Sequence, residues 1–558
     1  MYLEIKCLRF VGLFLALQMV IVHSWAQVDS LSITNTTMLS GSTNKASLFW
    51  QQANDFGKFG YFQNNLYTDL NLKYDLVINK ELSISSGVEG VGRTGGNDFF
   101  VQQLYFKIKY LGLTAVVGRE EYSVGVYGDQ LSSGGYILGT NASPYNRIAL
   151  GVYDYRKVPF TFGKLLFKGG LSVGKLEKDN SYGRFLGPSI HDKFFYLKSN
   201  VGKVNIHGGI AHFAMYGGED GNGISPNPSF KSVFFAKSDP SSPIAGDRTN
   251  VVGSHNGFVE FGFDVDLSNF STVLYVQKPI VDRSSKYLFG RNKDYFLGLQ
   301  VDFKSKEHII NKIKLEFIKS DVQNGMGLPD VVVYDENDRL LTGSTGNGNL
   351  LMWGNTKDGD IIREAYPQET AAMNNEELWS WVQNTFNNGH DYGGRGDYYN
   401  HSEYNLGYRG RGFGNPFLTT NVQVQAYEEN KEEVRNILSE NNRVKVLSLG
   451  ASGQLSRSIG YRVNVAYSLN YGNWDKYALD DFDIIGRFTP NFTPDPNYKY
   501  YGGLTQWYTY FESSFQLPKA KEWSFTAGLG YDFGEITNNF GVTLGVKWTG
   551  VCHFSRKK

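Results

Sequence analysis

The sequence predicts an all-β transmembrane fold: a large antiparallel outer-membrane β-barrel of about 18 strands, with small helical segments at the periplasmic side or in the lumen. Three observations predict this fold. Apolar and polar residues alternate with a period of two, no later stretch has about 18 or more consecutive apolar residues, and aromatic residues make up 15% of the 558 residues. Without an apolar helix, a closed barrel is the structure that could still span a membrane.

The N-terminus has the three parts of a cleavable signal peptide. Lys6 and Arg9 precede an apolar stretch over residues 10–22, and Ser24 and Ala26 supply the small residues of a cleavage site. We therefore assign residues 1–26 to a signal peptide and expect export to the cell outer membrane. Cleavage would leave Cys552 as the only cysteine, which excludes an intrachain disulfide.

The period-two alternation is sustained in several predicted strands. From Val259 to Leu267, one face carries only Val, Phe and Leu, whereas the other carries two aspartates and a glutamate. The last two predicted strands, Phe525–Phe533 and Phe540–Phe554, show the same period. A barrel strand places apolar side chains toward lipid and polar ones toward the lumen, so the charged residues predict a wet lumen.

The number of strands follows from the chain length. About 530 residues remain after the signal peptide, and a strand with its share of turn and loop takes roughly 25 to 30 residues, which gives on the order of 16 to 20 strands. We predict an even number near 18. A barrel of this width encloses a lumen that is either a channel or plugged.

Two stretches without alternation predict material outside the barrel wall. Residues 27–59 are predicted as an N-terminal periplasmic or plug segment, and residues 367–388 as a helical insertion that starts at a proline and ends before a glycine. The barrel is assigned to residues 60–554 and a C-terminal overhang to residues 555–558. Helical material inside a barrel sequence favours a plug over an open pore.

The end of the chain and its overall composition predict the partners. An amphipathic last strand that closes on Phe554 resembles the C-terminal signal read by the barrel-insertion machinery, so this machinery and outer-membrane lipid are expected partners. Lys+Arg and Asp+Glu balance at 55 each, which disfavours nucleic-acid binding. The chain has no H-E-x-x-H zinc motif and no EF-hand spacing, so we expect no metal, no cofactor and no enzyme.

Four segments resemble the family of outer-membrane capsule assembly proteins called Wzi. They are Gly118–Pro159, with its LSSGG run, Pro188–Phe195 (PSIHDKFF), Gly209–Gly218 (GIAHFAMYGG) and Tyr398–Pro416 (YYNHSEYNLGYRGRGFGNP). The resemblance implies a lectin-like barrel that holds capsular or extracellular polysaccharide at the cell surface without catalysis, and a helical bundle at the periplasmic side. Residues 215–257 depart from the family pattern.

Sugar binding needs flat aromatic faces and planar polar groups, and residues 390–411 are rich in both. The predicted polysaccharide-binding residues are Tyr392, Arg395, Asp397, Tyr398, Tyr399, Asn400, His401, Arg409 and Arg411. An equally open interpretation is that these side chains line the lumen wall and pair with one another. The charged lumen also leaves open a second function, an outer-membrane porin or substrate-specific channel.

Overall fold

The fold was analysed in a computed structural model. It describes residues 28–44, 46–62, 66–94, 98–125, 129–200, 202–239, 241–244, 247, 251–281, 293–304, 309–323, 333–334, 340–342, 356–386, 398–401, 403–428, 438–473 and 495–554. The predicted signal peptide at residues 1–26 and the predicted overhang at residues 555–558 lie outside the described residues.

Eighteen antiparallel strands of the described chain form one closed barrel, as predicted. The wall consists of β1 (Val28–Ser42), β2 (Leu66–Val77), β3 (Leu82–Arg93), β4 (Asp98–Tyr110), β5 (Leu113–Arg119), β6 (Asn146–Lys157), β7 (Leu165–Lys175), β8 (Ser189–Ser199), β9 (Val204–Tyr216), β10 (Ser254–Asp266), β11 (Phe270–Val281), β12 (Tyr295–Phe303), β13 (Lys312–Lys319), β14 (Val444–Ser456), β15 (Ile459–Asn470), β16 (Leu504–Gln516), β17 (Trp523–Gly534) and β18 (Asn539–His553). Each strand pairs with its neighbours in the chain, and β1 pairs with β18 to close the ring.

The alternation predicted from the sequence distinguishes the two faces of the wall. On the outer face, side chains such as Phe195, Ile210, Phe261 and Leu544 are exposed. On the inner face of the same strands, residues such as Asp192 are buried. A closed barrel with an apolar outer surface satisfies every backbone group of the wall internally and can lie in lipid, so the chain is an outer-membrane β-barrel.

The two ends of the barrel differ in the length of their connections. At one end, here called the short-turn end, strands are joined by turns such as residues 78–81 and 457–458, and the first and last strands have their free ends there. At the opposite, long-loop end the connections include residues 120–145, 217–253 and 320–443. In outer-membrane barrels the short turns face the periplasm and the longer loops face outward.

The structure corrects the predicted start of the barrel. Residues 27–59 were predicted as a periplasmic or plug segment, but Val28–Ser42 is the strand β1, in register with both Asn71 and Thr549 at Thr34. The reason lies in its composition, because serine, threonine or asparagine stands on both faces of β1 and hides the alternation. Only residues 46–59 of the predicted segment lie inside the barrel.

The described helices and short strands all belong to connections. The helices are Phe49–Gln52, Phe230–Phe234, Thr356–Ala365, Pro367–Thr370, Asn375–Phe386 and Asn421–Gln425, with a 3-10 turn at Lys178–Asn180. The short strands are Ser181–Tyr182, Val333–Tyr334, Leu340–Thr342, Asn405–Tyr408, Arg411–Gly412, Thr419–Thr420 and Ser439–Asn441. Among the residues described, no helix combines the length and the apolar character needed to cross a membrane.

The helical insertion is longer than predicted and belongs to a connection at the long-loop end of the barrel. The prediction placed a helix over residues 367–388 at the periplasmic side or in the lumen. The three helices between Thr356 and Phe386 belong instead to the connection between β13 and β14, which leaves the wall at the long-loop end. The presence of a helix can be predicted from local sequence. The end of the barrel at which a connection lies depends on how many strands precede it, and β1 adds one strand that the sequence did not predict.

Candidate functional site

Three segments fill the lumen and are here called the plug: residues 46–62, 129–145 and 398–426, of which 402 is not described. Their aromatic side chains form one buried cluster with inward residues of the wall. Tyr136 is stacked on Tyr399 at 5.7 Å and contacts Phe296 of β12 at 5.8 Å, while Phe49 contacts Tyr508 of β16 at 4.3 Å. The plug therefore packs against more than one strand of the wall.

Buried acids of the wall hold the plug by accepting hydrogen bonds from it. Glu316 of β13 accepts from the Ser132 hydroxyl at 2.9 Å and from the backbone N–H of Ser133, and Tyr275 of β11 donates to the same carboxylate. Asp532 of β17 accepts from the backbone N–H of Phe49 at 2.8 Å. These buried hydrogen bonds join the wall to two of the plug segments and hold the plug in one position.

Two predicted binding residues, Tyr398 and Tyr399, are buried in the plug. The Tyr398 hydroxyl donates to Asp294 at 2.9 Å, and the Tyr399 hydroxyl donates to the backbone carbonyl of Tyr136 while it accepts from the Asn415 N–H. Their hydroxyls are used internally, and their rings face other aromatic rings. These two residues follow the second interpretation of the sequence, in which lumen residues pair with one another.

Arg411 is also an internal residue of the plug. Its guanidinium donates to the backbone carbonyls of Gln52 and Phe59, lies 3.6 Å from Asp55 and stacks over the Tyr61 ring at 4.5 Å. Burial raises the pKa of Asp55, and the neighbouring Arg411 charge opposes that rise. Arg411 thus joins the first plug segment to the third.

Arg409 joins the third plug segment to a loop at the long-loop end. Its guanidinium contacts Glu177 at 3.2 Å, and Arg119 of β5 contacts the other oxygen of Glu177 at 2.5 Å. Burial by itself would raise the pKa of Glu177, but the hydrogen bond and charge of Arg119, together with the charge of Arg409, lower it to about 2. Arg409 also lies over the Phe100 ring at 4.8 Å.

Asn400 and His401 lie at the boundary between the plug and solvent. The Asn400 side chain makes two hydrogen bonds with the backbone of Ser439, at 2.9 and 2.8 Å, whereas the His401 side chain is one-quarter exposed and contacts Glu403 at 3.1 Å. The His401 side chain is more exposed than those of Arg409 and Arg411. Tyr392, Arg395 and Asp397 lie outside the described residues.

Several charged residues beside His401 were not predicted. We call the group the loop-end surface; it comprises Lys178, Arg184, Glu219, Asp220, His401 and Glu403. The short strand Ser181–Tyr182 pairs with Asn405–Tyr408, and Phe185 N–H donates to the Glu403 carbonyl at 3.1 Å. This pairing joins residues more than 200 positions apart, so no local signal in the sequence could have found it.

The loop-end surface consists of three ion pairs, of which Lys178–Glu219 is exposed at both partners. Arg184, about half exposed, contacts Asp220 at 3.1 Å, and Lys178 pairs with Glu219. Asp220 also accepts from the N–H groups of Asn222 and Ile224, which shapes the GEDGNG turn. Within the described ranges, no group of three or more His, Cys, Asp or Glu side chains is arranged to hold a metal ion.

From the sequence we expected no nucleophile motif of the form G-x-S-x-G, but its letters occur at Gly170–Gly174. Ser172 is fully buried in the middle of β7, and its hydroxyl donates to Asp192 on the neighbouring strand. The motif needs an exposed serine on a sharp turn between a strand and a helix. Ser172 lies on an uninterrupted strand and therefore has a structural role.

A cavity of about 730 Å³ lies in the lumen below the plug, toward the short-turn end. Plug residues such as Asp55 and Lys58 form one side of this cavity. Inward residues of the wall form the other side, among them Lys312, Arg462 and Glu512. Charged side chains of both signs therefore line a cavity that is large enough to hold water.

The comparisons with known proteins concern the architecture. No family model matches the chain, and no curated protein matches it. Among solved structures it is similar to Escherichia coli Wzi, an outer membrane protein involved in group 1 capsule assembly and described as a carbohydrate-binding β-barrel. The identity is 11%, with 92% of this chain and 83% of that chain covered and a TM-score of 0.49.

Two barrels of Pseudomonas aeruginosa are also similar in architecture. OccK5 is 8% identical, with 95% of this chain and 99% of that chain covered and a TM-score of 0.43. OccK2, solved in complex with glucuronate, is 7% identical, with 93% and 97% covered and a TM-score of 0.42. The family that the sequence motifs resemble is thus represented among the similar structures.

Proposed function

We propose that the protein is a lectin-like barrel that binds capsular or extracellular polysaccharide and holds it at the cell surface. The observation that carries the proposal is the plug, which fills the lumen with a buried aromatic cluster fixed by Glu316 and Asp532. A barrel filled in this way is poorly suited to free diffusion, and its accessible chemistry lies at the long-loop end. The resemblance of four segments to the Wzi family supports the same function.

The loop-end surface has the groups that polysaccharide binding requires. Arg184 and Lys178 are cations about half exposed, and Glu219 and Glu403 are acceptors for hydroxyl groups. Guanidinium groups can bind a uronate carboxylate through two parallel hydrogen bonds. We propose that His401, Asn400 and Arg409 contribute with this surface, together with Tyr392, Arg395 and Asp397.

The proposal is tested by the location of the polysaccharide in the producing strain. Deletion of the protein should release polysaccharide into the medium while its synthesis continues, and the double variant Arg184→Ala/His401→Ala should reproduce most of that release. The matched control is Lys519→Ala/Lys521→Ala, in an exposed turn at the short-turn end. Polysaccharide that stays bound to cells lacking the protein would contradict the proposal.

A second candidate function is a substrate-specific channel, which the charged cavity below the plug favours. Planar bilayer recordings separate the two functions. The lectin-like barrel should be nearly silent, because its plug contacts the wall on β11, β12, β13, β16 and β17. Steady conductance of the unmodified protein, reduced by one class of solute, would favour the channel.

A further inference from the structure

The connection between β9 and β10, residues 217–253, is here called the outer-rim loop. Its described part folds back against the outside of the barrel wall. Val233 in the helix Phe230–Phe234 and Val252 are buried against Ala214 of β9. Ala214 faces outward, because its neighbour Phe213 points inward to Phe413 of the plug at 5.0 Å. This part of the loop therefore covers the outer wall, whereas Glu219, at the start of the loop, pairs with Leu186 at the long-loop end.

Lys193 of β8 lies under this loop on the outer face. Its neighbour Asp192 points inward and accepts a hydrogen bond from Tyr145 at 2.7 Å, so the Lys193 side chain points outward. The ammonium group donates to the Phe234 carbonyl and lies 3.8 Å from the centre of the Phe234 ring. A neutral carbonyl and a ring leave its charge uncompensated.

Along the membrane normal, Lys193 lies at the edge of the apolar belt of the barrel. Phe195, two residues toward the short-turn end on the same face, is 48% exposed and begins the apolar belt on β8. With a strand rise of about 3.3 Å per residue and a tilt of about 40°, Lys193 lies roughly 5 Å beyond Phe195 along the membrane normal. This is the depth of lipid headgroups on the side of the long loops.

The outer-rim loop adds two further lysines and two exposed aromatic side chains. Lys231 and Lys237 are exposed, and Phe230 and Phe235 are 46% and 58% exposed. In the part of the chain that the structure describes, Lys193, Lys231 and Lys237 form no salt bridge. Lysine beside exposed phenylalanine is the composition of segments that lie in a membrane interface.

Two of the four acids of the loop are paired with cations. Glu219 and Asp220 pair with Lys178 and Arg184, while Asp239 and Asp247 accept hydrogen bonds from serine hydroxyls within the loop. Among the described residues, Asp239 and Asp247 have serine hydroxyls and no cation as partners, so the three lysines outnumber the acids of the loop without a cation partner by one. The complement of the lysines is an anion supplied by the membrane.

We infer that the outer-rim loop and Lys193 form a binding site for the phosphate of an outer-leaflet lipid headgroup. Lys193, Lys231 and Lys237 bind the phosphate, while Phe230 and Phe235 lie among the acyl chains next to it. Three histidines lie between this site and the wall. His212 Nε2 is 2.8 Å from His255 Nδ1, and the His191 ring packs on the Phe230 ring at 5.2 Å. The three lysines and two phenylalanines of this site are not part of the loop-end surface, and the inference does not depend on the proposed polysaccharide function.

The test is a lipid titration of the detergent-purified full-length barrel by native mass spectrometry. Diphosphoryl lipid A is the probe, with the same lipid after removal of both phosphates and inorganic phosphate as the other two arms. The triple variant Lys193→Gln/Lys231→Gln/Lys237→Gln should bind lipid A at least tenfold more weakly. The charge-matched control Lys80→Gln/Lys519→Gln/Lys521→Gln, in exposed turns at the opposite end, should bind like the unmodified protein.

The arms identify the source of the phosphate. Weak binding of the dephosphorylated lipid and of inorganic phosphate would support a lipid phosphate site. Equal binding of both lipid forms, or equal binding by the triple variant and the unmodified barrel, would overturn the inference. If the triple variant fails to fold, Lys231→Gln/Lys237→Gln changes only exposed loop side chains and should still weaken binding about threefold.

Discussion

At the residue scale, Arg411 shows how one predicted binding residue has a different role in the fold. The sequence identified Arg411 as a planar polar side chain in a glycine-rich stretch. It could not show that its partners, Gln52 and Phe59, come from a segment some 350 positions away. Of the predicted set, His401 keeps a partly exposed side chain. Composition predicts the chemistry of such a stretch, whereas burial depends on contacts distant in the chain.

Arg411→Ala should loosen the plug. The change removes two hydrogen bonds and takes the Arg411 charge away from the buried Asp55 carboxylate. The loss of such a buried partner lowers the free energy of unfolding by about 3–5 kcal/mol. Proteolysis of residues 46–62 in the folded barrel should become faster, and Asp55→Asn in the same protein should restore part of the protection. Lys519→Ala is the control, and unchanged protection in Arg411→Ala would contradict the assigned role.

Glu177 should make stability depend on pH in the acid range. Its pKa in the folded protein is lowered from 4.5 to about 2, so its stabilising effect is present above 4.5 and is lost as the pH falls toward 2. Because the side chain is 40% exposed, the effect is about 1 kcal/mol at most. Glu177→Gln should lower the thermal midpoint at about pH 6 and leave it unchanged near about pH 2. Equal effects at both values would contradict this reading.

At the scale of elements, the strands with apolar faces were predictable and β1 was not. The last two strands alternate strictly, whereas β1 carries Asn35 and Thr37 on its outward face and depends on pairing with both β2 and β18. The plug was expected from residues 27–59 and 367–388. It is built instead mainly from residues 129–145 and 398–426, whose tyrosines and glycines show no periodicity that a sequence could reveal.

Thr34→Pro should prevent closure of the barrel. Thr34 lies in the middle of β1, opposite Asn71 and Thr549, and proline would remove a ladder hydrogen bond from a strand that is paired on both sides. The heat-modifiable, folded band on gel electrophoresis should fall several-fold. Thr34→Val keeps the N–H group and should fold normally, and a normally folded proline variant would show that β1 is not required for closure.

Phe49→Ala/Trp50→Ala should loosen the contact of the plug with β16 and β17. Both side chains are almost fully buried, and truncation of such an aromatic residue costs about 3–5 kcal/mol. Conductance events should appear in planar bilayers where the unmodified protein is nearly silent. Phe160→Ala, at an almost fully exposed site in the turn after β6, is the control and should stay silent. If the double variant shows no conductance, other residues of the plug must close the lumen.

At the scale of the whole molecule, the two ends of the barrel have separate tasks. The long-loop end presents the loop-end surface and the outer-rim loop, the plug fills the lumen, and the cavity of about 730 Å³ opens toward the short-turn end. The number of strands was predictable because chain length and strand spacing limit it. Which loops meet at the outer end depends on the closure of the ring, which no local pattern in the sequence encodes.

The central claim is that this plugged barrel binds the polysaccharide of the cell that makes it. The most direct measurement is binding of the detergent-purified barrel to the producing strain's own purified polysaccharide, immobilised beside an unrelated glycan. The account predicts saturable binding to its own glycan alone, weakened at least tenfold by Arg184→Ala/His401→Ala, because we propose that these two side chains bind the polysaccharide. Binding to neither glycan, in a barrel shown to be folded, would contradict it.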